Sequence, residues 1–352
     1  MRRFSTLAML AACAWGADQP PASVVQSSKP VTAQSPAPVA IHRGRMVDFT
    51  SVPAGMVMGP TKCDDSGAVY FRQYKPRDVY GAAIVKLDPR ENRSLVINVS
   101  SIGDSSVAKA PTLRFVDFTV NGGAVYVAAT NEDAKAYILK FSAGDGSFQS
   151  AISLEEKFYP MKIAAFNSGA LLVAGVKTTP KPDSTSALQN DTVLIDRTGV
   201  IAKHLNAGDW GDTKGDQAVD HERLDALSMS LMEGAGTSAY LIQSSAATTL
   251  AVVGDGGTVE PPRKLRSPGE DYSAFNLRAS GTSILVEYVK DLKSSGTVTE
   301  FVLYDLSLDQ PVQVYRADAD VGGALGCYDG RDGFTFVNNH GGHTVLMNGS
   351  LN

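Results

Sequence analysis

The chain has 352 residues, of which 43% are hydrophobic and 20% charged, and its formal net charge is -5. This composition excludes a chain that is disordered throughout, a collagen-like repeat and, with three cysteines, a small disulfide scaffold. The mild acidity argues against a nucleic-acid-binding protein, which would carry a basic stripe. At this length the chain forms one large domain or two ordinary ones.

Residues 1–17 have the pattern of a signal peptide. Arg2 and Arg3 precede an apolar stretch that is too short to span a bilayer. The segment Leu-Ala-Ala-Cys at 10–13 resembles a lipobox, in which Cys13 becomes the lipidated first residue, whereas the small residues around it also suit ordinary cleavage. We therefore expect export, either to the periplasm, to the outer membrane as a lipoprotein, or as a secreted protein. Any membrane contact would run through a lipid on Cys13.

Residues 18–45 predict a disordered tether. The segment is rich in Pro, Ser and Ala, and its prolines interrupt any helical or strand periodicity. A segment of this composition cannot bury a core, so it would serve as a spacer after an anchor or as a plain N-terminal tail.

From residue 46 onward, short apolar runs alternate with turns rich in Gly, Asp, Asn and Ser, which is typical of an all-β chain. One strand pattern follows a glycine or another small residue six times, at 67–71, 123–127, 169–173, 237–242, 281–286 and 333–337. A second pattern follows each copy, at 84–88, 138–142, 193–196, 250–255, 302–305 and 345–348. It usually ends in Asp or Asn, which favour turns because they bond their own backbone.

Two further strand patterns complete most units. The third lies at 95–99, 148–154, 200–205 and 312–316, and the fourth lies before the glycine, at 115–120, 161–166, 227–232, 275–278 and 325–328. Four short strands in units of about 50 residues indicate a β-propeller. We predict a six-bladed β-propeller of four-stranded antiparallel blades over 46–352, with a seven-bladed ring or a pair of sandwiches as alternatives. The last unit lacks an outer strand, and we expect 45–50 to supply it, which closes the ring and removes an open sheet edge.

At the level of fold, the chain resembles the six-bladed bacterial propellers of the NHL-like, TolB-like and gluconolactonase-like kinds. The resemblance covers 46–352 and rests on the recurrent strands. The sequence shows no kelch double-glycine signature, no Trp-Asp repeat and no Tyr-Trp-Thr-Asp repeat. The resemblance therefore implies a fold and transfers no functional residue.

Two cysteines remain after the signal segment, Cys63 and Cys327, at matching places in the first and last units. A closed ring makes these units neighbours, and an oxidising compartment permits a disulfide. The chain-entropy model predicts that a disulfide that closes so long a loop stabilises the fold by about 5 kcal/mol. The alternative is two separate buried thiols that pack as small hydrophobes.

Connection lengths predict the face on which a ligand binds. In a propeller, the turns within the two hairpins of a blade open on one face, and the remaining connections open on the other. The longer segments all fall on the second face, at 72–81, 100–112, 177–190, 207–225, 290–297 and 338–343. Because loops on a rigid scaffold carry function, we expect the ligand there, although insertions also collect where selection ignores them. The candidate binding residues are Arg72, Lys75, Arg77, Trp210, His221, His340 and His343.

Each group of candidates has a chemical rationale and a plainer alternative. The basic set at 72–77 suits an anionic group because guanidinium offers a fixed fork of donors, and Trp210 suits a sugar ring. Clustered carboxylates suit Ca²⁺, although their spacing does not match an EF-hand, and the histidines suit Zn²⁺. The candidate metal ligands are Asp209, Asp212, Asp216 and Asp220. The alternatives are exposed loops without a ligand, so we predict no cofactor, with Ca²⁺ or Zn²⁺ as the exceptions to test.

Catalytic motifs are missing from the sequence: there is no Gly-x-Ser-x-Gly, His-Glu-x-x-His, Walker A or dinucleotide fingerprint. We therefore predict a monomeric binding module of the bacterial envelope for a protein, glycan or small molecule. The alternative is a metal-dependent hydrolase or lyase, with His221, His340 and His343 as ligands or general acid–base groups.

Overall fold

The computed structural model is built of β-strands, and the residues that it describes include no helix. The described residues are 36–73, 83–99, 102, 113–131, 133, 135–180, 186–206, 230–244, 248–266, 268–269, 271–291, 297–307 and 310–351. Within these residues, no helix is long and apolar enough to cross a membrane.

Four antiparallel sheets of four strands each follow the N-terminal strand β1 (Val39–Pro53) along the chain. The first sheet contains β2 (Val57–Cys63), β3 (Val69–Gln73), β4 (Ala83–Asp88) and β5 (Arg93–Asn98). The second contains β6 (Arg114–Asn121), β7 (Ala124–Thr130), β8 (Ala136–Ser142) and β9 (Phe148–Ser153). The third contains β10 (Phe158–Ala165), β11 (Leu171–Pro180), β12 (Ser186–Ile195) and β13 (Ile201–Asn206). The fourth contains β14 (Leu231–Ala235), β15 (Ser238–Ser244), β16 (Thr248–Gly254) and β17 (Arg263–Leu265).

The remaining strands form one eight-stranded sheet. They are β18 (Ser273–Ser280), β19 (Ser283–Asp291), β20 (Thr297–Asp305), β21 (Gln310–Ala317), β22 (Ala324–Tyr328), β23 (Phe334–His340) and β24 (His343–Ser350). The strand order is β18-β19-β20-β21-β1-β24-β23-β22. Strand β1 pairs antiparallel with β24 and, through residues 39–41, parallel with β21.

The first strand of each repeat faces its counterparts in the other repeats. Each of the strands β2, β6, β10 and β14 contacts the next strand of the set β2, β6, β10, β14 and β18, while β22 contacts β18 and β2, and β2 also contacts β18. We call these six the inner strands. The four-stranded sheets thus have a propeller-like arrangement, as predicted, and the apolar core lies between neighbouring sheets. One part of it joins Tyr70 and Ile84 of the first sheet to Phe118 and Val127 of the second.

Three expectations about segment boundaries are wrong. Residues 39–45, assigned to the tether, belong to β1, where Ile41 is fully buried in an apolar cluster with Phe301, Tyr315 and Phe334. The segment 338–343 is a tight hairpin, since β23 and β24 are joined by Gly341 and Gly342 alone, both at positive φ. Much of 177–190 is likewise strand, because β11 and β12 pair as far as Pro180.

Candidate functional site

The inner strands carry buried charged side chains. Lys62, Asp117, Lys162, Glu233 and Arg278 are 3%, 6%, 8%, 9% and 4% exposed, respectively. Together with Glu287 of β19, which is 2% exposed, we call them the axial cluster. Buried charges require partners because desolvation penalises the ionised form, so the contacts of this cluster define what it does.

Lys62 and Glu233 form an ion pair between two different sheets. The distance from Lys62 Nζ to Glu233 Oε2 is 2.6 Å, and the same Nζ donates to the Met232 carbonyl at 2.6 Å. Their strands, β2 and β14, belong to the first and the fourth four-stranded sheet. The pair therefore joins two sheets that are not consecutive along the chain.

Arg278 ties the inner strands of three repeats together. Its Nε and Nη2 donate to the Gly326 carbonyl at 3.0 and 2.7 Å, its Nη1 donates to the Leu277 carbonyl at 2.7 Å, and Nη2 also donates to Thr61 Oγ1. Burial lowers the pKa of Arg278, and the negative charges of Glu233 and Glu287 oppose that shift.

Glu287 lies at the other end of the same network. Its Oε2 accepts hydrogen bonds from Asn276 Nδ2 at 2.5 Å and from the Leu325 amide at 3.4 Å, and Asn276 Oδ1 accepts one from the Thr61 amide at 2.9 Å. Burial raises the pKa of the Glu287 carboxyl to about 7, against the opposing effect of those two hydrogen bonds and of Arg278. This carboxyl therefore changes charge near neutral pH.

The Lys162 amine is buried and lies near charges of both signs. Burial lowers the pKa of this amine, the charge of Asp117 raises it, and the charge of Lys62 lowers it further. Asp117 itself is held by the Ile163 amide, which donates to Asp117 Oδ2 at 3.1 Å.

A cavity of about 680 Å³ opens where the inner strands end, and we call it the turn-face cavity. Glu233 and Arg278 line it, as do Cys63 and Cys327. These cysteines form the disulfide, with Sγ atoms 1.98 Å and Cα atoms 5.4 Å apart, so they are not two separate thiols. The bond joins β2 to β22, the first and the last of the inner strands along the chain.

A second cavity, of about 340 Å³, opens where the inner strands begin, and we call it the loop-face pocket. It lies on the face for which the sequence predicts a ligand. The residues that line it include Met56, Phe275, Glu287, Thr299, Ala324 and Val337. Glu287 is the single charged residue among its described lining residues, so it dominates the electrostatics of the pocket.

Two asparagine side chains hold the rim of this pocket. Asn339 Oδ1 accepts from the Gly55 amide at 3.0 Å, and Asn339 Nδ2 donates to the Gly55 carbonyl at 3.2 Å. Asn338 Nδ2 donates to the carbonyls of Val321 and Gly322 at 3.2 and 3.1 Å. The rim is therefore preorganised, which lowers the entropic cost of binding.

Gly323 is required at the same rim. Its φ is +97°, and a Cβ at this position would lie 2.2 Å from the Val337 carbonyl oxygen. A side chain would therefore force β22 away from β23, so the close approach of these strands depends on glycine.

Three of the predicted binding residues lie in the described part of the chain. The Arg72 guanidinium packs over the Phe115 ring, 4.0 Å from its centroid, in a cation–π contact between two sheets. His340 is exposed at the end of β23, and its ring centroid lies 6.5 Å from that of His343. His343 Nε2 lies 3.1 Å from Asp48 Oδ1.

The other candidates lie outside the described residues; they are Cys13, Lys75, Arg77, Asp209, Trp210, Asp212, Asp216, Asp220 and His221. Among the residues that are described, no three His, Cys, Asp or Glu side chains are grouped as metal ligands.

Sequence reasoning missed the axial cluster, although a signal for it exists. Asp117, Lys162 and Arg278 each interrupt an apolar run in a strand pattern that precedes the recurrent glycine. A charge in the middle of an apolar strand indicates a buried, paired position, and in a propeller the first strands converge on the axis.

Replacing Glu287 by Gln is expected to remove a pH dependence of stability. The pKa of this carboxyl is about 7 in the folded chain against 4.5 as the ordinary value, so the folded state holds the proton more tightly. Stability is therefore lost as the pH rises from 4.5 to 7, by about 3 kcal/mol in total. The variant should match the wild type near pH 5 and exceed it near pH 8 in urea unfolding.

The exposed Glu91→Gln is the matched control for this prediction, and it should follow the wild-type curve. Parallel curves for Glu287→Gln and the wild type between pH 5 and pH 8 would contradict the assignment of a desolvated carboxyl at this position.

Comparison with known proteins yields similarity of fold alone. No protein-family model matches the chain, and no curated protein matches it. Three solved structures illustrate the likeness. The Dos1 propeller is 11% identical over 88% of this chain and 95% of its own, with a TM-score of 0.43. A subtype N11 neuraminidase-like protein (H18N11, flat-faced bat, Peru) is 10% identical over 90% and 97%, with a TM-score of 0.45.

The third structure, a protein of unknown function from Dyadobacter fermentans, is 14% identical over 89% of this chain and 99% of its own, with a TM-score of 0.48. Such low identities and TM-scores say nothing about a ligand or a reaction.

Proposed function

We propose that this chain is an exported β-propeller that acts as a binding module, with its ligand in the loop-face pocket. The observation that carries the proposal is a preorganised pocket of about 340 Å³ with a buried carboxyl group and largely apolar walls. Small-molecule sites are typically concave, apolar and provided with a few placed polar groups that fix orientation. The volume suits a small ligand or one side group of a larger one.

A ring of six blades supports such a rigid site. In this proposal the eight-stranded sheet is two blades, and β1 is the outer strand of the last one. Strands β22, β23 and β24 are three strands of this blade in the proposal, and β1 pairs antiparallel with β24, as a fourth strand would. The short parallel pairing of residues 39–41 with β21 then fuses the two neighbouring blades at their outer edges.

Two observations support export to an oxidising compartment. The N-terminal 17 residues have a signal-like pattern, and the Cys63–Cys327 disulfide is of a kind that persists outside the cytosol. Release by signal cleavage and lipidation at Cys13 remain the two routes. The intact mass of the protein recovered from membranes and from the soluble periplasmic fraction distinguishes them.

A ligand screen on paired variants tests the proposed site. The exposed rim residue Thr297 is changed to Trp to fill the loop-face pocket, and Asn167, exposed at the turn-face cavity, is changed to Trp as the matched control. Compounds that bind the full chain in NMR titrations should lose binding to Thr297→Trp and keep it with Asn167→Trp.

The reverse pattern would move the ligand to the turn-face cavity and overturn the proposal. Thermal melts after EDTA treatment, with Ca²⁺, Zn²⁺ or Mn²⁺ added back, test the enzymatic alternative. An upward shift that is lost when His340 and His343 both become Ala would favour a metal-dependent hydrolase or lyase over a binding module.

A further inference from the structure

We propose that the loop-face pocket selects ligands that carry a primary ammonium group on a small apolar body, with the Glu287 carboxylate accepting the hydrogen bonds of the ammonium. This inference rests on the proposed function, because it names the chemical class of the ligand for the same pocket. Its basis is the combination of one buried carboxylate, a free carboxylate oxygen and walls without a positive charge.

The Glu287 carboxyl group is only partly satisfied by the protein. Asn276 and the Leu325 amide both donate to Oε2, and Oε1 accepts no hydrogen bond from any residue that the structure describes. Because Glu287 lines the pocket and is 2% exposed, a ligand donor reaching Oε1 would meet a carboxyl that water barely solvates. Hydrogen bonds between ionised groups are the strong ones in such surroundings.

The remaining walls argue against other ligand classes. No Lys, Arg or His is found among the described lining residues, so a carboxylate or phosphate would gain no countercharge. A divalent cation prefers six or more oxygen ligands, whereas the side-chain oxygens of Asn338 and Asn339 already accept hydrogen bonds from the Asn339 and Gly55 amides. Met56, Phe275 and Val337 offer apolar surface to the body of the ligand.

The charged groups near Glu287 explain why an external cation is favoured. Arg278 on β18 acts on Glu287 through its charge, but its guanidinium donors are directed at backbone carbonyls and at Thr61. Lys62 on β2 is paired with Glu233. No cation of the described chain therefore bonds Glu287 directly, and a bound ammonium would stabilise its ionised form.

Isothermal titration of the full chain with benzylamine, benzyl alcohol and benzoate tests this inference at pH 7.5. Benzylammonium and benzyl alcohol have nearly the same shape, so their affinity ratio isolates the charge. We expect benzylammonium to bind at least about tenfold more tightly than the other two probes. In Glu287→Gln this advantage should fall below about threefold, since a neutral amide replaces the carboxylate.

A pH series on the wild-type chain provides a second readout that does not depend on a variant. The affinity for benzylammonium should increase from pH 5.5 to pH 8, because binding requires the ionised Glu287, and protons should be released on binding near pH 6.5. Titration in buffers of different ionisation enthalpy measures that release. An affinity that is constant with pH would overturn the ammonium inference.

The Thr297→Trp variant separates failure of this inference from failure of the proposed function. If all three probes bind equally and Thr297→Trp abolishes their binding, the pocket stands and the ammonium preference is wrong. If the probes bind equally well to Thr297→Trp, the pocket assignment itself fails. If none binds at millimolar concentration, the ammonium inference is overturned and the wider ligand screen decides on the pocket.

Discussion

Replacing both Cys63 and Cys327 by Ala is expected to lower the free energy of unfolding by about 5 kcal/mol. The disulfide links residues 264 positions apart and so restricts the unfolded chain to conformations in which a very long loop is closed. Without the disulfide the unfolded chain gains conformational entropy, and folding must again bear the entropic cost of closing that loop. For a domain of this size the thermal midpoint should fall by about 8 °C. Urea unfolding and calorimetry of the oxidised wild type and the double variant measure the effect.

Chemical reduction of the wild-type chain is the control that leaves every side chain in place. Reduced wild type and double variant should unfold at similar urea concentrations, both below the oxidised protein. A double variant that unfolds at the midpoint of the oxidised wild type would contradict the prediction. It would mean that contacts between β2 and β22 hold these strands together in the unfolded ensemble without the covalent bond.

Breaking the buried Lys62–Glu233 pair is expected to cost about 3–5 kcal/mol for either single variant. Lys62→Met leaves the Glu233 carboxylate at 9% exposure without its ammonium partner, and Glu233→Leu leaves Lys62 in the same position at 3% exposure. We expect Glu233→Leu to cost more, because the axial cluster would keep three cations, Lys62, Lys162 and Arg278, with fewer anions to balance them. Urea unfolding at pH 7 measures both variants.

The double variant Lys62→Met/Glu233→Leu completes the cycle. It should be more stable than either single variant, since two apolar side chains leave no charge unpaired. The Lys177–Glu155 pair, with side chains 35% and 39% exposed at 2.7 Å, is the surface control, and Lys177→Met should cost less than about 1 kcal/mol. Additive costs for Lys62 and Glu233 would show that the two residues do not stabilise the fold as a pair.

Local sequence patterns were sufficient to predict most of the strands, although several extend further than predicted; β12, for example, was predicted from 193 and begins at Ser186. The recurrent run from Gly123 predicts β7 because a turn glycine and alternating apolar residues act over a few neighbours, and β7 begins at Ala124. The prediction was weaker where a strand is short or atypical. The three-residue β17 in the fourth sheet has no counterpart in the predicted strands. It pairs with β16 through backbone atoms, which every residue type provides, so no side-chain pattern marks it in the sequence.

Two errors have a common physical cause. The length of β1 depends on its parallel pairing with β21, and the close turn at Gly341 depends on the register of β23 with β24. Both features depend on pairing with strands or residues beyond the local sequence window. The local sequence is polar or rich in proline, so by itself it does not indicate a strand.

The sequence by itself determined the all-β class and the recurrent four-strand unit, because local periodicity and turn residues carry both. It also placed Cys63 and Cys327 at matching positions of their units, but left a disulfide and two separate thiols as alternatives, between which the structure decided. Only the tertiary structure decided that Lys62 meets Glu233, that Arg278 bonds the backbone of β22, and that Glu287 faces a pocket. Strand patterns state which side chains are buried, but the partners of a buried charge depend on strands that meet only after the sheets have packed together.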